Sequence, residues 1–135
     1  MTAVLVDSNV LLDVMTQNGT WYGWSSQALQ DAGNAGRLVI NPIVYVEVSI
    51  RFSRIEDVEA AFPRSMFERE TVPCEAAFLA GKAFAAYRRR GGEKRAPLPD
   101  FLIGAHAAVV GYRLLTREAT RYWTYFPRLR LLAPP

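Results

Sequence analysis

The sequence is poor in the residues that staple or metallate many small domains. It holds one cysteine, Cys74, and one histidine, His106, so an internal disulfide and a Cys/His zinc cluster are both excluded. Cys74 is expected to be a packing residue, as free cysteines commonly are. No uninterrupted apolar stretch approaches the roughly 20 residues of a membrane span. The first apolar run begins at Ala3, which leaves no room for a cleavable leader, and the expected location is cytoplasmic. Lysine is scarce as well: only Lys82 and Lys94 stand among 16 basic residues. The rest are arginines, whose planar fork grips phosphates or carboxylates at two points. There is no repeat, low-complexity tract or linker, so residues 1–135 read as a single domain large enough for a real core.

The net charge of +3 is unevenly spread. Residues 88–95, with Arg88, Arg89, Arg90, Lys94 and Arg95 against Glu93, and residues 113–135, with five arginines against Glu118, together carry +8, leaving −5 elsewhere. A polyanion or an acidic partner fits this distribution. A solvated surface fits it too, and basic residues near a helix end favour the local dipole.

Hydrophobic patterning gives strands alternating with helices. Ala3 to Val6 is a short buried strand ended by Asp7, with Ser8 or Asn9 capping a helix from Val10 to Met15. A helix over Trp21–Ala35, a strand over Leu38–Ile40 and a helix opened by the Asn41-Pro42 pair follow; that helix runs through Glu47 to about Arg54. Further expected elements are a helix over Ile55–Phe67, a strand at Glu70–Val72 and an alanine-rich helix over Glu75–Arg90. Helix Asp100–Val110, strand Arg113–Thr116, a short helix over Ala119–Tyr125 and strand Arg130–Ala133 complete the chain. Such alternation predicts an α/β fold with a mostly parallel sheet covered on both faces.

Four acids sit where this layout can gather them. Asp7 lies at the carboxyl end of the first strand, the edge at which open α/β sheets bind ligands. Glu47 shares a helix face with Ile43 and Ile50, so its charge needs a partner: Arg51 one turn on, or a metal ion. Asp100 opens an apolar helix, where capping alone would account for it. Glu118 follows Leu114-Leu115-Thr116-Arg117 and repeats the strand-then-acid layout of Asp7. Asp13, among Leu11, Leu12 and Val14, reads as solvent-facing and outside the site. His106 falls about 240° around the helix from Asp100 and reads as structural. Converging carboxylates repel one another and ionise poorly unless a cation neutralises them. Hard oxygen donors without histidine favour Mg²⁺ or Mn²⁺.

These residues resemble the PIN domain nucleases, and more narrowly the VapC-type toxins of bacterial toxin-antitoxin pairs. The resemblance runs along nearly the whole chain: Val4-Leu5-Val6-Asp7-Ser8-Asn9-Val10-Leu11-Leu12, Asn41-Pro42 with Glu47, Leu98-Pro99-Asp100-Phe101-Leu102-Ile103-Gly104-Ala105-His106-Ala107, and Leu114-Leu115-Thr116-Arg117-Glu118 with Tyr125-Phe126-Pro127. It implies a three-layer α/β/α sandwich and Mg²⁺- or Mn²⁺-dependent RNA hydrolysis, with Asp7, Glu47, Asp100 and Glu118 as the metal-binding, catalytic acids. The fourth position in this family is often aspartate, so the longer Glu118 would bind through water. Ser8, Asn9 and Thr116 match polar positions that orient ligands or water. A homodimer and a VapB-type antitoxin that blocks the site are also implied. Arg88, Arg89, Arg90, Lys94 and Arg95 are expected to track the RNA backbone. Trp21, Tyr22 and Trp24 read as core or dimer contacts, with base stacking as the other use of such rings.

Two other readings are distinguishable in the sequence. A phosphatase built on a strand-end aspartate needs a second acid two residues later, where this chain has Asn9, and a lysine in a suitable context, which Lys82 and Lys94 do not provide. A binding scaffold without catalysis would have lost the acids, and they are intact.

Overall fold

The computed structural model describes residues 2–91 and 98–135. The first strand, β1 (Thr2–Val6), is followed by α1 (Ser8–Met15), α2 (Tyr22–Ala35), β2 (Gly36–Ile40), α3 (Pro42–Ser49) and α4 (Ile55–Ala61). Then come β3 (Phe67–Arg69), α5 (Cys74–Arg89), α6 (Leu98–Val110), β4 (Arg113–Leu115), a 3₁₀ turn over Ala119–Arg121 and β5 (Leu131–Leu132). The strands form one sheet in the order β3-β2-β1-β4-β5, every neighbouring pair parallel. This is the expected α/β sandwich, with α1 against α2, α5 against α6, and α3 touching both α1 and α6.

The central strands are apolar at every inner position because both sheet faces are covered. Leu5, Val6, Val39, Ile40, Leu114 and Leu115 are all fully buried. The chain leaves β1 toward β2 on one side and receives β4 on the other. Strand order thus reverses at β1, and the space beyond its carboxyl end is the crevice such sheets offer to ligands. Asn41 caps α3 as expected, accepting from the Val44 N–H at 3.0 Å, with Pro42 in the first turn.

Several boundaries differ from the sequence expectation, for local reasons. Asp7, in extended conformation, occupies the cap position of α1, and Ser8 and Asn9 are already helical with side chains committed elsewhere. The helix expected to reach Phe67 stops at Ala61, because Phe62 precedes Pro63 and adopts a non-helical conformation. The strand expected at Glu70–Val72 forms three residues earlier, where Phe67 can enter the core against Phe62 and pair with Leu38. The helix through Glu47 ends at Ser49 rather than Arg54, and Arg54 becomes the extended residue ahead of α4. Residues 119–121 form only a 3₁₀ turn instead of a longer helix. Cys74 is exposed and not a packing residue: it begins α5, whose buried stripe is Ala76, Ala80 and Ala83. Among the described residues no helix is long and apolar enough to cross a membrane.

Candidate active site

Asp7 is delivered by the buried β1 strand to the carboxyl edge of the sheet, and its backbone N–H is tied to Leu115 of the neighbouring strand at 2.9 Å. Its carboxylate is nearly inaccessible to water. Three side chains converge on one oxygen: Tyr122 OH donates to Oδ2 at 2.7 Å, Thr116 Oγ1 at 2.8 Å and Asn9 Nδ2 at 3.3 Å. No side-chain donor among the described residues reaches Oδ1. The carboxylate is thereby oriented through Oδ2, and the Ser8 backbone N–H adds a further hydrogen bond to it.

Glu47 projects from α3 and accepts from Ser8 Oγ at 2.7 Å, a bond that spans 39 positions in sequence. Among the described residues Arg51 makes no ion pair with it, so the simple helix pairing is not what holds this charge. Asp100, in the first turn of α6, is buried and meets Arg121 Nη1 at 3.3 Å. Glu118 stands further out, with Oε1 3.0 Å from Arg117 Nη1, and its backbone N–H donates to Thr116 Oγ1 at 3.1 Å.

The electrostatics tie Asp7, Glu47 and Asp100 together. Burial pushes Asp7 above the usual carboxylate range, against the pull of the Tyr122 and Thr116 hydrogen bonds. Burial also raises Glu47; Ser8 opposes the rise and the charge of Asp7 adds to it. Asp100 is pushed up to about 6 by burial and then by Asp7, with Arg121 opposing. Among the described residues no three acids, histidines or cysteines are already gathered closely enough to hold an ion. The donor set nevertheless fits a hard divalent cation: carboxylates whose burial and mutual repulsion keep them from ionising together are stabilised by the charge such an ion brings.

The Asp100 shift has a measurable consequence. An acid whose folded value is raised supports stability fully below its ordinary value of 3.8, and that contribution is lost as pH rises through about 6. In EDTA, the unfolding free energy of Asp100→Asn relative to wild type is expected to grow between pH 4 and pH 7 by on the order of 2–3 kcal/mol. A pH-independent difference in denaturant titrations would refute it.

Other residues behave differently from their sequence reading. Asp13 is buried rather than solvent-facing, because Ser25 Oγ donates to its Oδ2 at 2.7 Å and Arg117 Nε lies 2.7 Å away. His106 is structural as expected: it is buried, with Nδ1 3.0 Å from Asn41 Nδ2, and burial lowers its pKa. Asn41 thus links α6 to the start of the helix that carries Glu47. Arg88, Arg89 and Arg90 are exposed around the end of α5, Arg88 packing over Phe84 and Arg90 over Tyr125, and no ion pair joins them to the acids among the described residues. Lys94 and Arg95 lie outside the described residues. Trp21 and Trp24 meet edge to face, with Arg117 over Trp21, while Tyr22 is exposed. The sequence reading missed Tyr122 and Arg121. They sit at the end of a 3₁₀ turn that carries no hydrophobic periodicity, and the only signal was the Arg-Tyr pair four residues behind the strand-end Arg117-Glu118.

The PIN domain family model matches residues 4–120, while no curated protein matches the sequence. Solved structures of similar fold include VapBC2 from Rickettsia felis, bound to a DNA fragment from its promoter, at TM-score 0.73 and 16% identity over 99% of this chain and 100% of that chain. DNA-bound VapBC from Salmonella typhimurium is similar at TM-score 0.70 and 20% identity over 98% of each chain. FitAcB from Neisseria gonorrhoeae is similar at TM-score 0.63 and 15% identity over 96% of each.

Proposed function

The chain belongs to the PIN domain family, and from that premise we propose that it is a Mg²⁺- or Mn²⁺-dependent endoribonuclease acting in the cytoplasm as the toxin of a toxin-antitoxin pair. The observation that carries the reading is the convergence of Asp7, Glu47 and Asp100, from three separate elements, at one sheet edge where each raises or feels the charge of another. The similarity in fold to the VapBC structures supports a VapB-type antitoxin as partner, and a homodimer as the working form is part of the same proposal.

Asp7, Glu47 and Asp100 would hold the metal, with Glu118 reaching it through water. Such an ion, when bound, would supply a water of lowered pKa and neutralise charge on the phosphodiester. The protein's own part is positional. Tyr122, Thr116 and Asn9 fix Asp7 through Oδ2. Ser8 holds Glu47 across from it, and Thr116 ties the backbone of Glu118 to the same hydroxyl that orients Asp7. RNA is gripped by arginines, for which the exposed Arg88, Arg89 and Arg90, and Lys94 and Arg95 beyond them, are the candidates.

The test is cleavage of an end-labelled structured RNA pool by antitoxin-free protein with Mg²⁺ or Mn²⁺, with EDTA, and with Glu47→Gln purified in parallel. Glutamine still accepts from Ser8, so the variant changes charge and little else. Site-selective cutting that vanishes in EDTA and falls by about 100-fold or more in Glu47→Gln is expected. Equal cutting by both proteins would point to a contaminant and against this function.

A further inference from the structure

We propose that Arg121 is a resident counter-ion of the acidic site, a cation that a divalent metal must displace from Asp100 in order to bind. The inference rests on the metal-site reading of Asp7, Glu47 and Asp100. Arg121 is the arginine that pairs with one of these acids, and it is held in the opposite way to its neighbour Arg117, whose partners are Asp13 and Glu118. Arg117 is clamped: Nε lies 2.7 Å from buried Asp13, Nη1 lies 3.0 Å from Glu118, and its guanidinium lies over Trp21 at 5.6 Å. Arg121 has a single charged partner among the described residues, Asp100 at 3.3 Å, and 49% of its side chain is exposed.

The backbone beneath Arg121 is anchored even though its side chain is not. The next residue, Tyr122, is fully buried and bonded to Asp7, so the root of the arginine stays at the mouth of the site. Its charge opposes the raised pKa of all three acids. In the metal-free protein Arg121 therefore partly offsets the repulsion among carboxylates. When a doubly charged ion takes the same oxygens, the guanidinium beside Asp100 becomes a like charge. A long, half-exposed side chain with one loose contact can leave for solvent at little cost. Metal binding and release of Arg121 are then two sides of one exchange, linked in free energy.

The experiment uses the full chain, stripped with EDTA and dialysed, in wild-type, Arg121→Gln and Arg121→Lys forms. Mn²⁺ affinity is measured by calorimetry, and thermal melts are recorded with and without saturating Mn²⁺. Arg121→Gln is expected to bind Mn²⁺ about 3- to 10-fold more tightly than wild type, as a competing charge is removed. Arg121→Lys, which keeps the charge, is expected to stay within about twofold of wild type. The glutamine variant should melt below wild type in EDTA and at or above it with Mn²⁺, a reversal that a purely structural contact would not produce. Unchanged or weaker Mn²⁺ binding by Arg121→Gln, or a melting deficit that is the same in both conditions, overturns the inference and leaves the metal site standing. Failure of wild type to bind Mn²⁺ at all overturns both.

Discussion

Asp7→Asn is expected to lower RNA cleavage by about three orders of magnitude while leaving the protein at least as heat-stable as wild type. The two effects have one cause. The carboxylate is almost wholly removed from water and sits above its usual pKa because of that burial. Asparagine keeps an oxygen to receive the Tyr122, Thr116 and Asn9 donors, which all meet on the same atom. It replaces the other oxygen with an amide that donates and carries no charge, so the ligand side of the residue cannot face a cation. Removing a buried charge whose side-chain hydrogen bonds survive is stabilising by about 1–2 kcal/mol, or roughly 3–6 °C in a domain of this size. Melts in EDTA beside the cleavage assay test the pair of effects. A variant that unfolds easily would show that the charge itself holds the fold, and a variant that still cuts RNA would remove Asp7 from the chemistry.

Gly104→Ala is expected to damage both fold and site. An ideal Cβ at this position would lie 2.8 Å and 2.9 Å from Phe126 ring atoms and 2.9 Å from Tyr122. Neither ring is a loose surface group: Tyr122 is fully buried and Phe126 nearly so. Alanine gains about 1 kcal/mol of helix propensity over glycine in an ordinary helix. The forced shift of two packed rings outweighs it, at about 2–4 kcal/mol, for a net loss of about 1–3 kcal/mol and a melting temperature lower by roughly 3–9 °C. Tyr122 cannot move without disturbing the 2.7 Å bond to Asp7, so cleavage should fall further than the population of folded protein does. A melting temperature equal to wild type would mean that the rings yield freely and that Gly104 is not what brings them close.

How far the site can be read from sequence depends on whether a residue's role is local. Asp7 and Asp100 stand at the ends of short apolar runs, and Asn41-Pro42 marks a helix start three-dimensionally as well as in sequence, so these positions and the parallel sheet were legible. Glu47 was legible as a charge needing a partner, but not that Ser8 would be one. Asp13 was misread because its helical neighbours say nothing of Ser25 and Arg117, 12 and 104 positions away. Tyr122 and Arg121 were nearly illegible for the same reason: their roles are defined by Asp7 and Asp100, and a 3₁₀ turn offers no periodic pattern to read. The displaced β3 strand shows the same logic in the core. Phe67 pairs there because Phe62 and Leu38 are waiting for it, a contact that local propensity does not record.

The placement of β1 at the centre of the sheet also governs when the molecule becomes complete. Thr116 and Tyr122, which orient Asp7, are synthesised 109 and 115 residues after it. The strand that closes the other side of β1, β4, arrives only with residues 113–115. Until then the nascent chain has Asp7 at the end of a strand with one edge unpaired, and only Asn9 of its three side-chain donors is present. Contacts so distant in sequence form late and slowly in parallel sheets. The acids are thus scattered along the growing polypeptide, and their assembly is deferred to near the end of folding.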